Sequence, residues 1–314
     1  MTRVTAPSRL HFGLLHVPTE GAQDASRAFG GVGLMIDQPG VVVTARPADA
    51  WQFEGMLASR AQVFAHRFVA SLDRPPQPLQ ILVERCAAEH TGLGVGTQLG
   101  LAVGKAIAVE AGLPQLTAVE IAQRVGRGER SAIGVHGFDR GGLIVETGKL
   151  PAEAISPLLT GVRLPETWRV VVFVPNSHDV WHGPREEQAF ANAGSAPRTA
   201  GLTDELNRIV QLRILPAASA GDLNAFGEAV HEFNRRAGEP FAAAQGGSYS
   251  SGEVANLIAR IRKLGVMGVG QTSWGPAVFA IVESQERAAE LVRSLTGTTR
   301  GWIAKPSQGH LVAR

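Results

Sequence analysis

Gly92-Leu93-Gly94-Val95-Gly96-Thr97 lies between an apolar segment read as a strand, Leu79 to Cys86, and a segment of helical spacing, Leu99 to Ala111. A glycine-rich turn that opens a helix puts backbone N–H groups and the positive end of the helix dipole in one place, where an anion binds. The spacing is not that of a Walker A loop, because no glycine precedes Gly104-Lys105 at the required distance. It is not the dinucleotide fingerprint either, since Gly92, Gly94 and Gly96 do not form G-x-G-x-x-G. Two readings fit the loop alone: a phosphate cradle, or a tight turn that needs positive φ.

Outward from the loop, strands are predicted for Thr5 to Leu15 (broken at Ala6-Pro7), Gly40 to Arg46 and Trp51 to Glu54. Leu57 to Leu72 is predicted as a helix that ends before Arg74-Pro75-Pro76, because a residue preceding proline is pushed out of the α region. Thr117-Ala-Val-Glu120 has the form of a capping box and opens a helix to about Val125. Strands follow at Gly142 to Glu146 and Trp168 to Val174, helices at 203 to 217, 222 to 236 and 252 to 264, and a strand at 277 to 283. A helix from Ser284 to Leu295 and a short strand near 302 close the chain. This mixed order lacks a regular βαβ alternation and predicts an α+β fold. The stretch from Leu150 to Glu166 is the expected boundary between an N-terminal lobe (1–165, with the loop) and a C-terminal lobe (166–314).

Composition narrows the functional classes. The 314 residues are 44% hydrophobic and 18% charged, enough to bury a core and too apolar for disorder. A net charge of +2 with no basic run argues against nucleic acid as a partner. The longest aliphatic runs, such as Val170 to Val174, are far shorter than a bilayer span, and the N-terminus has no signal-like stretch. The single cysteine, Cys86, leaves no internal disulfide and no thiolate cluster for zinc. We therefore expect a cytoplasmic protein with small-molecule substrates and no membrane partner; a homodimer is compatible with the chain. Of the 30 basic residues only Lys105, Lys149, Lys263 and Lys305 are lysines, so arginine dominates. Arginine forks suit phosphate and carboxylate, although a GC-rich genome also enriches arginine.

Two more segments bear on the loop: Ala6-Pro7-Ser8-Arg9-Leu10-His11-Phe12-Gly13, and Gly268-Val-Gly-Gln271-Thr-Ser273-Trp274-Gly275-Pro276. With the loop, in this order, they resemble the GHMP kinase superfamily. That resemblance implies a two-lobed α+β fold with a ligand cleft between lobes, and an ATP-dependent small-molecule kinase is the alternative function. The kinase pattern departs in two places: Val95, Gly96 and Thr97 stand where paired serines follow G-L-G, and Ser131 to Asp139 lacks the close-spaced aspartate. Ser8 to Leu14, Gly126-Arg-Gly128 through Ser131 to Gly134, Phe138 with Gly141-Gly142, and Gly270 to Pro276 instead resemble the β-ribofuranosylaminobenzene 5'-phosphate synthase family. This second resemblance implies condensation of phosphoribosyl pyrophosphate with 4-aminobenzoate or 4-hydroxybenzoate, releasing CO2 and pyrophosphate without ATP, as an early step toward tetrahydromethanopterin.

The implied chemistry assigns expectations to residues. Gly92, Gly94, Gly96 and Thr97 would hold the pyrophosphate, with Mg²⁺ carried in by the substrate; no resident metal ligand is assigned. Arg9 and Arg185 are candidates for the 5'-phosphate or the benzoate carboxylate, with ion pairing as the alternative. Ser131, Gln271 and Ser273 offer polar contacts, and Trp274 a ring face or a packed core side chain. The catalytic candidates are His11, which would hydrogen-bond a substrate or else sit in the core, and Asp139 or Glu186, as metal or ribose contacts. Glu129 flanks the same middle segment, and a metal pair of His178 with His182 is not expected beside Gly183-Pro184.

Overall fold

The computed structural model describes residues 1–17, 27–74, 76–175, 188–189, 193, 199–295 and 299–314. Among these, the first sheet has seven strands: β1 (Thr2–His16), β2 (Phe29–Pro47), β3 (Gln52–Gly55), β4 (Leu79–Arg85), β5 (Leu143–Glu146), β6 (Leu158–Val162) and β11 (Leu311–Ala313). Its spine runs β11-β1-β2-β4-β3, with β5 and then β6 added beside the first half of β2. The pairing is antiparallel except for β3 on β4. A four-stranded antiparallel sheet, ordered β10-β7-β9-β8, contains β7 (Arg169–Pro175), β8 (Gly268–Gln271), β9 (Val278–Val282) and β10 (Thr299–Ala304).

The predicted break at Ala6-Pro7 is a register shift within one long strand. Pro7, which has no N–H to give a ladder, falls where the pairing with β2 slips between Ala6 and Ser8. A second shift between His11 and Gly13 re-aims the strand next to the cleft. The first half of β2, absent from the sequence reading, is hidden by Gly30, Gly31, Gly33 and Pro39. Gly33 is required: a Cβ there would meet Ile133 and the Leu10 carbonyl oxygen. The stretch taken as the lobe boundary also carries a strand, since Leu158–Val162 extends the first sheet.

Helix α1 (Ala58–Ala70), α3 (Ala118–Val125) and α4 (Ile133–Arg140) surround α2 (Val95–Glu110), which starts four residues before the predicted Leu99. Its residues from Gln98 to Val109 are all buried, so it is apolar around its circumference, as a helix in a core must be. Gln98 and Lys105 are the exceptions in type: the Gln98 amide nitrogen donates to the Gly134 carbonyl at 2.8 Å, and the Lys105 ammonium to the carbonyls of Pro114 and Leu116. On the C-terminal side, α5 (Thr199–Ile209) runs through a π turn, Val210–Ile214, into α6 (Leu215–Ala220). Then come α7 (Leu223–Ala237), α8 (Ala242–Gln245), α9 (Gly252–Lys263) and α10 (Gln285–Ser294).

The small sheet is buried on both faces, and its strands alternate accordingly. Val170 and Val172 of β7 face a core that is continuous with Phe12, Phe226, Phe233 and α2, whereas Val171 and Phe173 face Val254, Ile258, Ile261 and Leu291. The first core therefore joins the two sheets, with Phe12 of β1 against Phe279 of β9 at 4.8 Å between ring centroids. Strand β1 lies at this seam, and its Arg9 and His11 to Leu14 border the cleft.

Candidate functional site

The cleft has a volume of about 460 Å³, in the range that takes a small ligand. Arg9 and His11 of β1 line it, as do Thr97 at the head of α2 and the loop from Gly126 to Ser131. Asn234, Phe241, Tyr249, Gln271, Ser273 and Trp274 enter from the small-sheet side. Predicted residues Arg9, His11, Thr97, Ser131, Gln271, Ser273 and Trp274 thus meet in one place, although they span most of the chain.

The glycine loop reaches this cleft differently from the expectation that its bare backbone faces the ligand. Gly94, at φ 72°, is the N-cap residue of α2, and no side chain caps the helix. A Cβ on Gly94 would lie 3.0 Å from the Arg9 Nε, and one on Gly96 would lie 2.6 Å from the Arg60 guanidinium and 3.5 Å from that of Arg127. Gly92 instead serves the contact with the β8 turn. Its carbonyl accepts from the Thr272 hydroxyl at 2.8 Å, and a side chain there would strike the Thr272 backbone. Guanidinium groups therefore crowd the positive end of a helix dipole. Arg60 is paired with Glu89. Arg127 donates to the Thr97 hydroxyl at 3.4 Å and leaves its buried Nε without a partner. Burial, and then the charge of Arg60, pull the Arg127 pKa down. Such an arrangement is electrostatically costly until an anion joins it.

Beside it is a buried chain of polar groups. His11, 5% exposed, is held through its backbone, with N–H donating to the Thr272 hydroxyl at 2.9 Å and C=O accepting from Ser273 N at 2.9 Å. Its Nε2 is 3.2 Å from the Ser131 hydroxyl, which donates to Glu146 Oε1 at 2.7 Å. The other carboxylate oxygen of Glu146 accepts from Ala132 N at 2.7 Å. Burial pushes the Glu146 carboxyl up in pKa, opposed by these hydrogen bonds and by Arg9. Burial, with the Arg9 charge second, holds His11 well below the ordinary histidine value.

The small-sheet wall is neutral. The Asn234 amide nitrogen donates to the carbonyls of Phe12 and Gln271, and its oxygen accepts from Gln271 N. Gln271, expected to face a substrate, commits both ends within the protein: its Oε1 accepts from Ser250 N at 2.7 Å and its Nε2 donates to Ser273 O at 2.9 Å. Trp274 stands edge-on to Phe241, 4.7 Å between centroids, and both rings border the cleft. The Tyr249 hydroxyl is buried without a partner, and burial pushes its pKa up to about 12.

Asp139 corrects the sequence reading. It lies outside the cleft, where its carboxylate accepts from Ala118 N at 2.8 Å and sits 3.4 Å from His310 Nδ1, fastening the start of α3. Gly134 of the same helix lines the cleft, and five residues later the side chain has rotated roughly 140° away. Arg185, Glu186, His178 and His182 lie outside the described residues. Arg127 and Glu146 were missed, though both left a trace. Arg127 stands between Gly126 and Gly128, each at positive φ, and Glu146 ends the otherwise apolar strand Leu143–Glu146. Among the described residues no group of three or more His, Cys, Asp or Glu is placed to hold a metal, and Glu129 is the only carboxylate lining the cleft. No helix among them is long and apolar enough to cross a membrane.

Comparison with known proteins agrees with this architecture. A family model described as GHMP kinases C terminal matches residues 214–299. Homoserine kinase from Cytophaga hutchinsonii superposes with a TM-score of 0.70 at 15% identity, covering 99% of this chain and 97% of that one, which shows a shared fold. The β-ribofuranosylphenol 5'-phosphate synthase of Methanothermobacter thermautotrophicus is 30% identical over 311 residues, covering 90% of this chain and 89% of the relative. That of Archaeoglobus fulgidus is also 30% identical, over 313 residues covering 94% and 91%. A cleft built by β1, the α2 loop and the β8 turn, on the GHMP fold and with whole-chain similarity to these synthases, places the chain in the β-ribofuranosylphenol 5'-phosphate synthase family.

Proposed function

We propose that this protein joins the ribosyl group of phosphoribosyl pyrophosphate to the ring of 4-hydroxybenzoate or 4-aminobenzoate, releasing pyrophosphate and CO2. The observation that carries this reading is the gathering of Arg9, Arg127 and Arg130 in a cleft at the uncapped head of α2. A donor with a diphosphate and a 5'-phosphate supplies negative charge to match this arrangement. The relatives' name, a ribofuranosylphenol 5'-phosphate synthase, describes a product with the matching phosphate and ring.

In this reaction the C1–O bond of the donor breaks, and its electron pair leaves with the pyrophosphate. The oxocarbenium-like C1 is then attacked by the ring carbon that bears the carboxylate, and loss of CO2 returns that C–C pair to the ring. Arginines at the leaving group stabilise the charge that develops there. Trp274 and Phe241 offer an aromatic wall to the acceptor. Guanidinium groups cannot ligate Mg²⁺ and Glu129 is the one described carboxylate lining the cleft, so the ion would be held by the diphosphate oxygens that carry it in, with Glu129 as the residue able to meet it. The proposal includes a cytoplasmic location.

The test is incubation of the protein with phosphoribosyl pyrophosphate and each benzoate, without ATP. Release of CO2 and pyrophosphate with a new C-riboside is expected. Failure with both acceptors, or phosphoryl transfer from ATP to a small alcohol at about one turnover per second or faster, overturns the reading.

A further inference from the structure

The chain His11–Ser131–Glu146 has a direction that the hydrogen bonds define. Glu146 accepts on both oxygens, from Ser131 Oγ at 2.7 Å and from Ala132 N at 2.7 Å. The Ser131 proton is thereby committed to Glu146, so the 3.2 Å contact with His11 is completed by a proton on His11 Nε2. A neutral imidazole with its proton on Nε2 keeps a lone pair on Nδ1. The ring is held in this pose by steric fit: a Cβ on Gly31 would lie 3.2 Å from both Cε1 and Nε2 of His11. Glu146 is an acidic side chain with no exposure, acted on by Ser131, the Ala132 N–H and Ser156; of these Ser131 also touches a cleft histidine, and the bond changes of the synthase reaction leave the carboxylate without a role.

We propose that Glu146 and Ser131 are positioning residues that fix the His11 tautomer, so that Nδ1 accepts the hydroxyl proton of a phenolic acceptor as its ring carbon attacks the ribose. The inference rests on the synthase reading and adds a discrimination between acceptors. In the phenolic reaction the O–H pair moves onto the ring oxygen as its proton passes to His11. The pair becomes the C=O bond of a ring dienone, and a ring π pair forms the bond to C1 as pyrophosphate departs. Loss of CO2 then returns a pair to the ring, and the phenolate recovers its proton from His11. A 4-amino acceptor delivers the same push from its nitrogen lone pair, with no proton to remove first. The donor assists the histidine, because its phosphates offset the Arg9 charge that, after burial, holds the His11 pKa low.

Glu146→Gln separates this role from a structural one. The Ala132 N–H must still find an oxygen, so the amide NH2 faces Ser131 and donates to it. The serine proton then turns toward His11 Nε2, and the imidazole proton moves to Nδ1. In the purified protein, ¹⁵N-labelled histidine NMR is expected to show the protonated nitrogen of His11 switching from Nε2 to Nδ1. Turnover (kcat) with 4-hydroxybenzoate is expected to fall by about 100-fold or more, while turnover with 4-aminobenzoate changes by less than about threefold and KM values hold. Ser131→Ala covers the case in which Glu146→Gln does not fold; because Ser131 itself lines the cleft, it is read by the ratio of the two turnovers, which should shift against 4-hydroxybenzoate by about tenfold or more whatever loss the two acceptors share. Equal losses with both acceptors, or an unchanged tautomer in Glu146→Gln, overturn the proposal. A wild-type protein that turns over neither acceptor refutes the synthase reading instead, and the NMR result still decides where the proton sits.

Discussion

The two glycine-rich segments, Gly92–Thr97 and Gly268–Pro276, border the same cleft and do opposite things. In the first, glycines leave room for cations: Gly94 admits Arg9, and Gly96 admits Arg60 and Arg127. In the second, they leave room for a neutral framework. Gly268 lies directly on Gly227 of α7, Gly270 against the Asn234 amide, and Asn234 and Gln271 exchange hydrogen bonds with the backbone around them. One segment crowds like charges at the head of a helix, whereas the other joins neutral groups that already satisfy one another. Glycine content alone does not tell these roles apart; the groups that fill the vacated space do.

Arg127→Ala should break the comparison most clearly. Loss of charged hydrogen bonds to the donor, typically worth about 1.5–3 kcal/mol, corresponds to roughly 10- to 100-fold weaker binding of phosphoribosyl pyrophosphate by calorimetry. The free protein should melt no earlier than wild type, because the variant removes one of several like charges near Arg60, Arg67 and Arg130. A lower melting temperature with unchanged donor affinity would make the arginine structural.

Gly270→Ala tests the other segment. The new methyl would enter the space of the Asn234 carboxamide, an overpacking that costs about 1–3 kcal/mol. A lower denaturant midpoint with retained donor affinity is expected, and a neutral substitution would show that the wall is looser than its contacts indicate.

Acid probes both segments together. His11 beside the charged loop and His231, bonded to the Val269 carbonyl behind the neutral wall at 2.8 Å, both have pKa values lowered by burial from 6.5. Below pH 6.5 the unfolded chain takes up protons that the folded protein still refuses, so their stabilising contribution is complete above 6.5 and is lost as pH falls toward the folded values. Unfolding free energy should decrease by up to about 1.4 kcal/mol per pH unit for each histidine. A urea midpoint that stays flat between about pH 7.5 and 5.5 would contradict this.

The smallest effect is expected from Trp274→Ala. Losing an aromatic contact of about 0.5–1.5 kcal/mol should raise the acceptor KM roughly two- to tenfold, leaving donor affinity within about twofold. Equal losses for donor and acceptor would assign Trp274 to packing with Phe241.

Much of the fold was legible where the signal is local. The capping box appears as read, with the Thr117 hydroxyl accepting from Glu120 N and the Glu120 carboxylate accepting from Thr117 N. The helices near 58–70, 223–237 and 252–263 follow their apolar periodicity. What was illegible depends on partners far away in sequence. The glycines of β2 read as turn residues until Leu10, His11 and Ile133 occupy the space beside them. Asp139 sits within a few residues of cleft positions, yet helical rotation turns it away. Glu146 gains meaning only because Ser131 and His11, 15 and 135 positions earlier, fold onto it.

The all-round burial of α2 has a consequence for how the molecule exchanges with solvent. Amides from Leu99 to Val109 have no exposed face through which local opening would be cheap, so their hydrogens should exchange with deuterium only when the whole domain unfolds. Those of Val95 and Gly96, at the uncapped head, precede the first turn's internal bonds and should exchange far sooner. A single helix should thus carry a slow clock and a fast one side by side, and a bound anion would be recorded as the selective slowing of the fast one.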